Sequence, residues 1–178
     1  WRTLAVFVVF CSVSSGTYYW NDIHDVAADR QHPTKRERPI ASGAIGIGTA
    51  RFVGTFLAAA GLGGAFALGW RVGLVVLGYV VLTTLYSIAL KHVAVVDLVA
   101  IAGGFVLRAI AGAVVIDVPM STWFVLCTSF GSLFIVTGKR FAELRELGES
   151  AGTRSSLDAY TLPFLQTVLG KFKLVPLA

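Results

Sequence analysis

Five long apolar runs, separated by short polar segments, constrain the fold of this chain more than any other feature. A helix needs about 20 apolar residues to cross a membrane, and each run approaches or exceeds that length. Lipid offers the backbone no hydrogen-bond partners, so only helices or closed barrels span it, and these runs lack the alternation typical of a barrel. We therefore predict an all-α, polytopic transmembrane helix bundle. The runs cover roughly residues 4–20, 44–68, 72–90, 93–116 and 120–136.

The composition excludes an ordinary soluble domain. Of the 178 residues, 56% are hydrophobic and only 14% are charged, whereas soluble proteins average about 25% charged. The formal net charge is +5, but the basic residues lie between the apolar runs. There they act as topology signals and phosphate contacts, so we predict no nucleic-acid binding. Cys11 and Cys127 lie inside apolar runs, which favours packing roles over a disulfide.

The polar segments alternate in charge, and this alternation predicts the topology. Basic residues concentrate after the first, third and fifth runs, while the segments 69–71 and 117–119 are short. By the positive-inside rule, the three basic segments are cytoplasmic. We predict a multi-pass protein of the inner (plasma) membrane whose polar site faces the cytoplasm. We also expect a piece of a longer protein, because the chain begins inside an apolar run and because Pro163, Lys171 and Lys173 interrupt a sixth run near Thr161.

Three aspartates stand where the first run meets a polar segment. Asp22, Asp25 and Asp29 occupy positions i, i+3 and i+7, which fall within about 60° of one another on a helix. Clustered carboxylates repel unless a cation lies between them, and Mg²⁺ prefers a few carboxylates together with substrate phosphates. We therefore predict that they form a catalytic magnesium site, with Asn21 orienting a substrate oxygen. The alternative is a solvated loop whose charges only set topology.

The segment after the aspartates is rich in cations. It carries Arg30, Lys35 and Arg38, and Pro33 and Pro39 stiffen it. An arginine pairs with a phosphate through two parallel hydrogen bonds. We predict that these three cations bind the phosphate groups of a substrate.

The fourth run contains two ionisable residues, Asp97 and Arg108. They are eleven residues apart on one helix face, a separation of roughly 16 Å, which is too long for a direct ion pair. A charge facing lipid costs several kcal/mol, so such residues normally face a cavity. We predict that Arg108 contacts a substrate; the alternative is an ion pair with an acid on a neighbouring helix. Asp97 lies near the end of its run, where extension to the membrane surface is a second alternative.

Two further polar clusters follow the third and fifth runs. Tyr86 and Lys91 are candidates for substrate binding, although an interfacial tyrosine and a topology-setting lysine are equally consistent with their positions. Lys139, Arg140 and Glu143 are candidates for substrate binding, in a second polar cluster that faces the aspartates across a cavity and in which the two cations contact phosphate. The alternative is a simple surface pair between Lys139 and Glu143, which are four residues apart on a helix.

Taken together, these motifs resemble the UbiA superfamily of intramembrane prenyltransferases. The Asn-Asp-x-x-Asp-x-x-x-Asp string at 21–29 is similar to the first aspartate-rich motif of that superfamily. The resemblance extends to about residue 165, while the tail 166–178 remains unassigned. Its other segments are 32–35, 38–43, 90–92, 104–112, 131–134, 138–144, 156–157 and 160–161.

This resemblance implies a bundle of about nine helices around a central cavity, of which this chain holds the second through sixth. It implies Mg²⁺ bound by Asp22, Asp25 and Asp29. The second acid pair of the superfamily is missing, and Lys139 and Arg140 stand there instead. That departure matches the subgroup whose donor is phosphoribosyl pyrophosphate and whose acceptor is a polyprenyl phosphate such as decaprenyl phosphate. The expected product serves arabinan synthesis in the cell wall.

Two other functions stay open on the sequence. One is an ordinary prenyltransferase, which joins a prenyl diphosphate to an aromatic acceptor. The other is a non-catalytic lipid carrier or transporter, in which buried charges line a path. In every case the lipid bilayer is a partner, and a homo-oligomer is compatible with the sequence.

Overall fold

The computed structural model describes residues 1–147 and 160–173, and these residues contain helices but no strands. Six α-helices follow one another within them. They are α1 (Arg2–Gln31), α2 (Ile47–Leu68), α3 (Trp70–Ile88), α4 (Val96–Val115), α5 (Thr122–Leu147) and α6 (Leu162–Lys173). The all-α prediction is confirmed. The similar segment at 156–157 and the end of the tail at 174–178 lie outside the described residues.

Helices α1 to α5 correspond to the five apolar runs. Each is long and apolar enough to cross a membrane, and the chain is a multi-pass membrane protein. The described part of α6 has 12 residues. Pro163 lies in the first turn of α6, where a missing N–H leaves no helical bond unmade. A helix therefore begins at the point where we expected Pro163 to interrupt an apolar run, and residue 165, our boundary, falls inside that helix.

Helix α1 is central, because it packs against α2, α3 and α4. Helix α5 packs on α4 and carries α6. The larger core cluster lies between the first four helices, and it consists of Val6, Val9, Phe10, Val13, Ala65, Val72, Val76, Tyr79, Ala111 and Val115. A second cluster joins α4, α5 and α6, and it consists of Leu98, Val136, Leu144, Tyr160 and Leu165.

Small residues allow α1 and α2 to approach closely. A Cβ atom added to Gly16 would lie 2.6 Å from the Gly54 carbonyl oxygen and 2.7 Å from the Ala58 backbone nitrogen. One added to Gly61 would lie 2.5 Å from Val13 Cγ2. In lipid, where there is little hydrophobic drive between helices, such backbone contact contributes directly to association. The glycine content of the runs thus has a packing role along this interface.

The chain reverses direction between successive helices, so three helix ends meet. Gly69 alone connects α2 to α3, with a φ of 145° that other residues rarely adopt. The C-terminal turns of α1, α3 and α5, together with the loops 32–46 and 89–95, form what we call the polar end. Lys91 reaches α1 and Lys35 reaches α5 across it. The three basic segments therefore lie on one side, as the charge alternation indicated.

The contact between α1 and α2 gives a matched pair of glycine variants. Gly16→Ala should destabilise the protein by about 1–3 kcal/mol, because the methyl group meets backbone atoms that cannot yield. Gly63→Ala, where an added Cβ meets nothing within 4 Å, should leave stability unchanged or slightly raised. Thermal unfolding in detergent micelles measures both. Equal melting temperatures for the two variants would contradict the close approach.

Candidate active site

Arg38 draws two of the three aspartates together. Its Nη1 atom donates to Asp22 Oδ1 at 3.0 Å and to Asp29 Oδ2 at 2.9 Å. Asp22 and Asp29 lie on one face of the last turns of α1, while Arg38 follows the 3₁₀ turn Lys35–Glu37. The Asp29 side chain is only 7% exposed. Two carboxylate oxygens thus converge on one cationic nitrogen at the polar end.

Asp25 is paired with a different cation. The Lys91 ammonium, on the 3₁₀ turn after α3, donates to Asp25 Oδ1, and both side chains are largely buried. Asn21 Nδ2 donates to Asp25 Oδ2 at 3.2 Å, and Ser87 Oγ donates to Asn21 Oδ1 at 3.0 Å. This chain of contacts ties the end of α3 to α1. Lys91 and Asn21 therefore lie beside the aspartates, and their predicted contacts with substrate stay a prediction.

A small cavity of about 80 Å³ opens beside these ion pairs. Asp25, Asp29, His32, Lys35 and Lys91 are among the residues that line it. The cavity wall thus combines two acids with two lysines and a histidine. Such a wall is polar enough to bind a phosphate group by charge-assisted hydrogen bonds.

The buried histidine at this cavity also organises the loop. The backbone N–H groups of Thr34 and Lys35 both donate to His32 Nδ1 at 3.3 Å, so this nitrogen acts as an acceptor. Burial, together with the nearby Lys35 ammonium, lowers the pKa of His32 below its ordinary value. The ring is therefore neutral near pH 7, with its proton on Nε2.

A second charged network lies between α4 and α5. Arg140 Nε donates to Asp97 Oδ2 at 3.0 Å, its Nη1 donates to Glu143 Oε2 at 2.7 Å, and its Nη2 donates to the Tyr86 hydroxyl at 3.3 Å. Lys35 Nζ lies 3.5 Å from Glu143 Oε1, which connects this network to the loop after α1. Tyr86, Arg140 and Glu143 thus meet at the polar end, whereas the cluster predicted from the sequence joined Arg140 and Glu143 to Lys139.

Asp97 has a partner that the sequence did not reveal. It is fully buried and pairs with Arg140, so the alternative of extension to the membrane surface is wrong. The Tyr160 hydroxyl donates to Asp97 Oδ1 at 2.6 Å. Burial and this carboxylate raise the pKa of Tyr160 well above its ordinary value, so the hydroxyl stays protonated.

Two predicted phosphate ligands lie elsewhere. Arg30 is exposed, and its Nε donates to the Ala41 carbonyl oxygen at 3.0 Å, which holds the loop before α2. Lys139 is exposed on α5, while Glu143 is engaged by Arg140 and Lys35. The alternative of a surface pair between Lys139 and Glu143 is therefore not seen among the described residues. Glu143 instead pairs with Arg140 on its own helix and with Lys35 across the polar end.

A larger cavity of about 320 Å³ runs from the polar end into the bundle. Asn21, Asp22 and Arg38 line its polar end. Its other lining residues are mostly apolar or aromatic, and they include Thr17, Tyr18, Tyr79, Tyr86, Ala100, Ile101 and Phe105. Arg38 therefore bridges an acid of the large cavity, Asp22, and an acid of the small one, Asp29.

Arg108 lies in this larger cavity, inside the membrane-spanning part of α4. Its Nη2 donates to the Tyr79 hydroxyl at 2.7 Å and to Ser14 Oγ at 3.1 Å, and its guanidinium stacks on the Tyr79 ring at 4.7 Å. Among the described residues, no carboxylate lies within ion-pair distance of it. The alternative of an acid on a neighbouring helix is therefore not seen in this part of the chain.

The donor set at the polar end fits a hard cation in part. In the described ranges, no three acidic, histidine or cysteine side chains are grouped as a metal site, and Asp25 is paired with Lys91. Asp22 and Asp29, however, each place an oxygen within 3.0 Å of the single Arg38 nitrogen. Carboxylate oxygens that converge on one positive charge are the ligands that Mg²⁺ takes in phosphate-processing sites.

The role of His32 predicts a pH dependence of stability. The unfolded chain binds the His32 proton more tightly than the folded protein does, so the stability contributed by His32 is complete above about pH 6.5 and is lost as the pH falls. The melting temperature should therefore drop between pH 7.5 and 5. His32→Asn, whose Oδ1 replaces the Nδ1 acceptor without titrating, should show a smaller drop. An identical drop in both proteins would assign the acid sensitivity to other groups.

The chain matches a known protein family and several curated relatives. Residues 1–157 match the UbiA prenyltransferase family. The chain is 45% identical to decaprenyl-phosphate phosphoribosyltransferase of Mycolicibacterium smegmatis over 169 residues, which cover 94% of this chain and 53% of that protein. It is 43% identical to the protein of the same name in Corynebacterium glutamicum over 166 residues, covering 91% and 50%. A nodulation protein of Azorhizobium caulinodans is 34% identical over 143 residues, covering 79% and 46%.

The chain spans about half the length of the curated relatives it matches. Within that half, the family match covers α1 to α5 and the segments between them, which together carry the aspartates and the cations that surround them. On this match, the chain belongs to the UbiA prenyltransferase family.

Proposed function

We propose that this protein transfers 5-phosphoribose from phosphoribosyl pyrophosphate to a polyprenyl phosphate such as decaprenyl phosphate, and releases pyrophosphate. The observation that carries the proposal is that the charged polar end and a largely apolar cavity are connected. A charged end with three acids and several cations opens into a largely apolar cavity that contains a membrane-embedded arginine. One environment suits a polar, multiply phosphorylated donor, and the other suits a lipid. The names of two relatives, at 43% and 45% identity, support this substrate pair.

The polar end is suited to the donor. Lys35 and Lys91 line the small cavity, and Arg38 stands between the small and the large one. These three cations neutralise the phosphates of phosphoribosyl pyrophosphate in our proposal, with Asn21 and Tyr86 as further hydrogen-bond partners. Arg140 and Glu143 support the site from behind, because Arg140 is only 5% exposed and lines neither cavity. Arg30 and Lys139 remain predicted phosphate ligands, although both are exposed.

The deeper cavity is suited to the acceptor. Arg108 is held by Ser14 and Tyr79, which are neutral, and a cation in such surroundings attracts an anion strongly. The phosphate of a polyprenyl phosphate supplies that anion, and the apolar wall around Phe105 accepts the first isoprene units. Exposed apolar side chains on the outer helix faces accept the rest of the lipid.

A magnesium ion fits the aspartates in this proposal. Asp22 and Asp29 would hold it, with Asp25 nearby, and Arg38 would move from its place between them. When bound, Mg²⁺ stabilises the negative charge that develops on a departing pyrophosphate.

The chemistry requires no strong general base. A phosphate oxygen of the acceptor attacks C1 of the ribose, the bond from C1 to the pyrophosphate oxygen breaks, and pyrophosphate leaves with the bonding electrons. The acceptor phosphate is already anionic at neutral pH, so no proton has to be removed from it. The protein contributes orientation and preorganised positive charge, which lower the barrier most in reactions of this kind.

We further propose that the polar end faces the cytoplasm across the plasma membrane. The three basic segments lie on that side, which is the cytoplasmic side by the positive-inside rule. The donor is a water-soluble metabolite, so access from the cytoplasm suits it. The lipid-linked product would then serve as a precursor for cell-wall arabinan.

An assay with the full-length protein in membranes tests the proposed reaction. Decaprenyl phosphate, labelled phosphoribosyl pyrophosphate and Mg²⁺ should give label in the lipid phase, and EDTA should abolish the transfer. A parallel reaction with labelled prenyl diphosphate and an aromatic acid serves as the comparison. Transfer only in this second reaction would replace our proposal with an ordinary prenyltransferase. Absence of any covalent product in both would favour a lipid carrier.

Asp25→Asn should reduce turnover by about a hundredfold or more, because it removes one acid of the site and leaves Lys91 without its charge partner. Asp117→Asn is the matched control. Asp117 is 89% exposed at the opposite end and lies 3.7 Å from Arg71, so its pair contributes little, and asparagine tolerates its positive φ. Initial rates and melting temperatures should be measured for both variants. Equal rates would remove Asp25 from the site.

A further inference from the structure

Asp97 is the most deeply buried charged residue that the proposed reaction does not use. It is 0% exposed, yet each of its oxygens accepts a hydrogen bond. The donors are the Leu98 backbone N–H at 2.8 Å and the Tyr160 hydroxyl at 2.6 Å to Oδ1, and Arg140 Nε at 3.0 Å to Oδ2. A carboxylate this well satisfied holds its partners in one arrangement.

Arg140 is the partner of Asp97 whose orientation affects both cavities. Asp97 fixes one edge of its guanidinium, since both Nε and Nη2 lie 3.0 Å from Asp97 Oδ2. The remaining N–H groups point to Glu143 and Tyr86. Because a guanidinium is planar and rigid, fixing one edge also fixes the other.

Each of these two contacts leads to one cavity. Glu143 accepts from Arg140 at 2.7 Å and from Lys35 at 3.5 Å, and Lys35 lines the small cavity. Tyr86 accepts from Arg140 at 3.3 Å and lines the large cavity. The buried pair thus contacts the wall of the large cavity directly at Tyr86 and reaches Lys35 in the wall of the small cavity through Glu143, while lining neither cavity itself.

The geometry of the guanidinium depends on Asp97. Neutralising Asp97 weakens the contact that fixes the edge of Arg140 formed by Nε and Nη2. Arg140 and Glu143 can then shift together, and the shift of Glu143 changes the position of the Lys35 ammonium at the wall of the small cavity.

Tyr160 adds a second anchor from outside the family match. Besides its bond to Asp97, its hydroxyl accepts the backbone N–H of Val95, which precedes α4 and has a positive φ of 67°. The tyrosine ring is 4% exposed within the cluster that joins α4, α5 and α6. Tyr160 therefore ties the chain entering α6 to the acid that holds Arg140.

We propose that Asp97 and Tyr160 are positioning residues that act through Arg140 and Glu143 to hold Lys35 against the phosphates of the donor. The proposal rests on the proposed function for the identity of the donor. Neither residue touches substrate. They fix the position of Lys35, and it is Lys35 that contacts the donor.

A double-mutant cycle tests the proposal in the full-length protein. Asp97→Asn should raise the KM for phosphoribosyl pyrophosphate by roughly tenfold, with a much smaller change in the KM for decaprenyl phosphate. Lys35→Ala should raise the donor KM by a similar factor. Since Asp97 acts through Lys35, the double variant should match Lys35→Ala alone. Multiplication of the two effects would overturn the proposal, because a general structural defect adds to the loss of Lys35.

Tyr160→Phe provides a milder second variant if Asp97→Asn fails to fold. It keeps the buried ring and leaves Asp97 its bonds from Leu98 and Arg140. It should raise the donor KM by a smaller factor than Asp97→Asn, and the effect should again vanish in the presence of Lys35→Ala. An unchanged donor KM in folded Tyr160→Phe would overturn its role, and Asp117→Asn serves as the control that should change nothing.

Binding of pyrophosphate separates this proposal from the proposed reaction. Pyrophosphate should raise the melting temperature of the wild-type protein in detergent, and its apparent affinity should follow the same cycle as the donor KM. Because this readout needs no turnover, a wild-type protein that shows no phosphoribosyl transfer refutes the reaction alone. Pyrophosphate affinity that is equal in wild type and Asp97→Asn refutes the positioning role.

Discussion

Repulsion among Asp22, Asp25 and Asp29 is the constraint on which the polar end depends. The three carboxylates lie on one face of α1 near lipid, where charges are poorly screened. Arg38 closes over two of them from the loop that follows α1, and Lys91 pairs with the third from the turn after α3. The loop and the turn are therefore positioned by charge as much as by packing. Removal of one partner from a buried pair costs about 3–5 kcal/mol, and this figure applies to the largely buried pair of Lys91 and Asp25. Arg38 is 35% exposed, so solvent screens its two contacts and each contributes less.

The fold was largely predictable because lipid leaves few alternatives. Apolar length and the need to satisfy the backbone determine five helices, and the charge of the loops determines that three helix ends share one side. What the periodicity could not give was where helices end. Helix α1 continues to Gln31, well past the apolar run, since its last turns are stabilised by contacts from other segments. Pro163 illustrates the same limit, because a proline at a helix start and a proline that breaks a helix look alike in sequence.

The sequence predicted part of the grouping of the candidate residues but not their pairing, and Arg30 and Lys139 lie apart from the group. Spacing brought the three aspartates together, yet nothing local indicated that Arg38 would hold two of them. The partners of Asp97 were missed because Arg140 and Tyr160 lie 43 and 63 residues away along the chain. His32 was not among the candidates from the sequence, although both backbone N–H groups that donate to it come from within the next three residues. A histidine followed by Pro33 and a turn was the only local signal for that role.

The two ionisable residues within α4, Asp97 and Arg108, are stabilised in different ways. The charge of Asp97 is neutralised by an ion pair, which gives it a structural role, whereas the charge of Arg108 stays available for binding in our proposal. Both Asp97 and Arg108 would cost about 2.5–3.5 kcal/mol at the centre of a bilayer, so each requires compensation. Asp97 finds it in Arg140, and the pair becomes part of the scaffold. Arg108 is surrounded by hydroxyl groups and aromatic faces, which stabilise a guanidinium without cancelling its charge. The positive potential of Arg108 therefore extends into the larger cavity. An anionic lipid headgroup bound there would neutralise this charge, which no carboxylate among the described residues does.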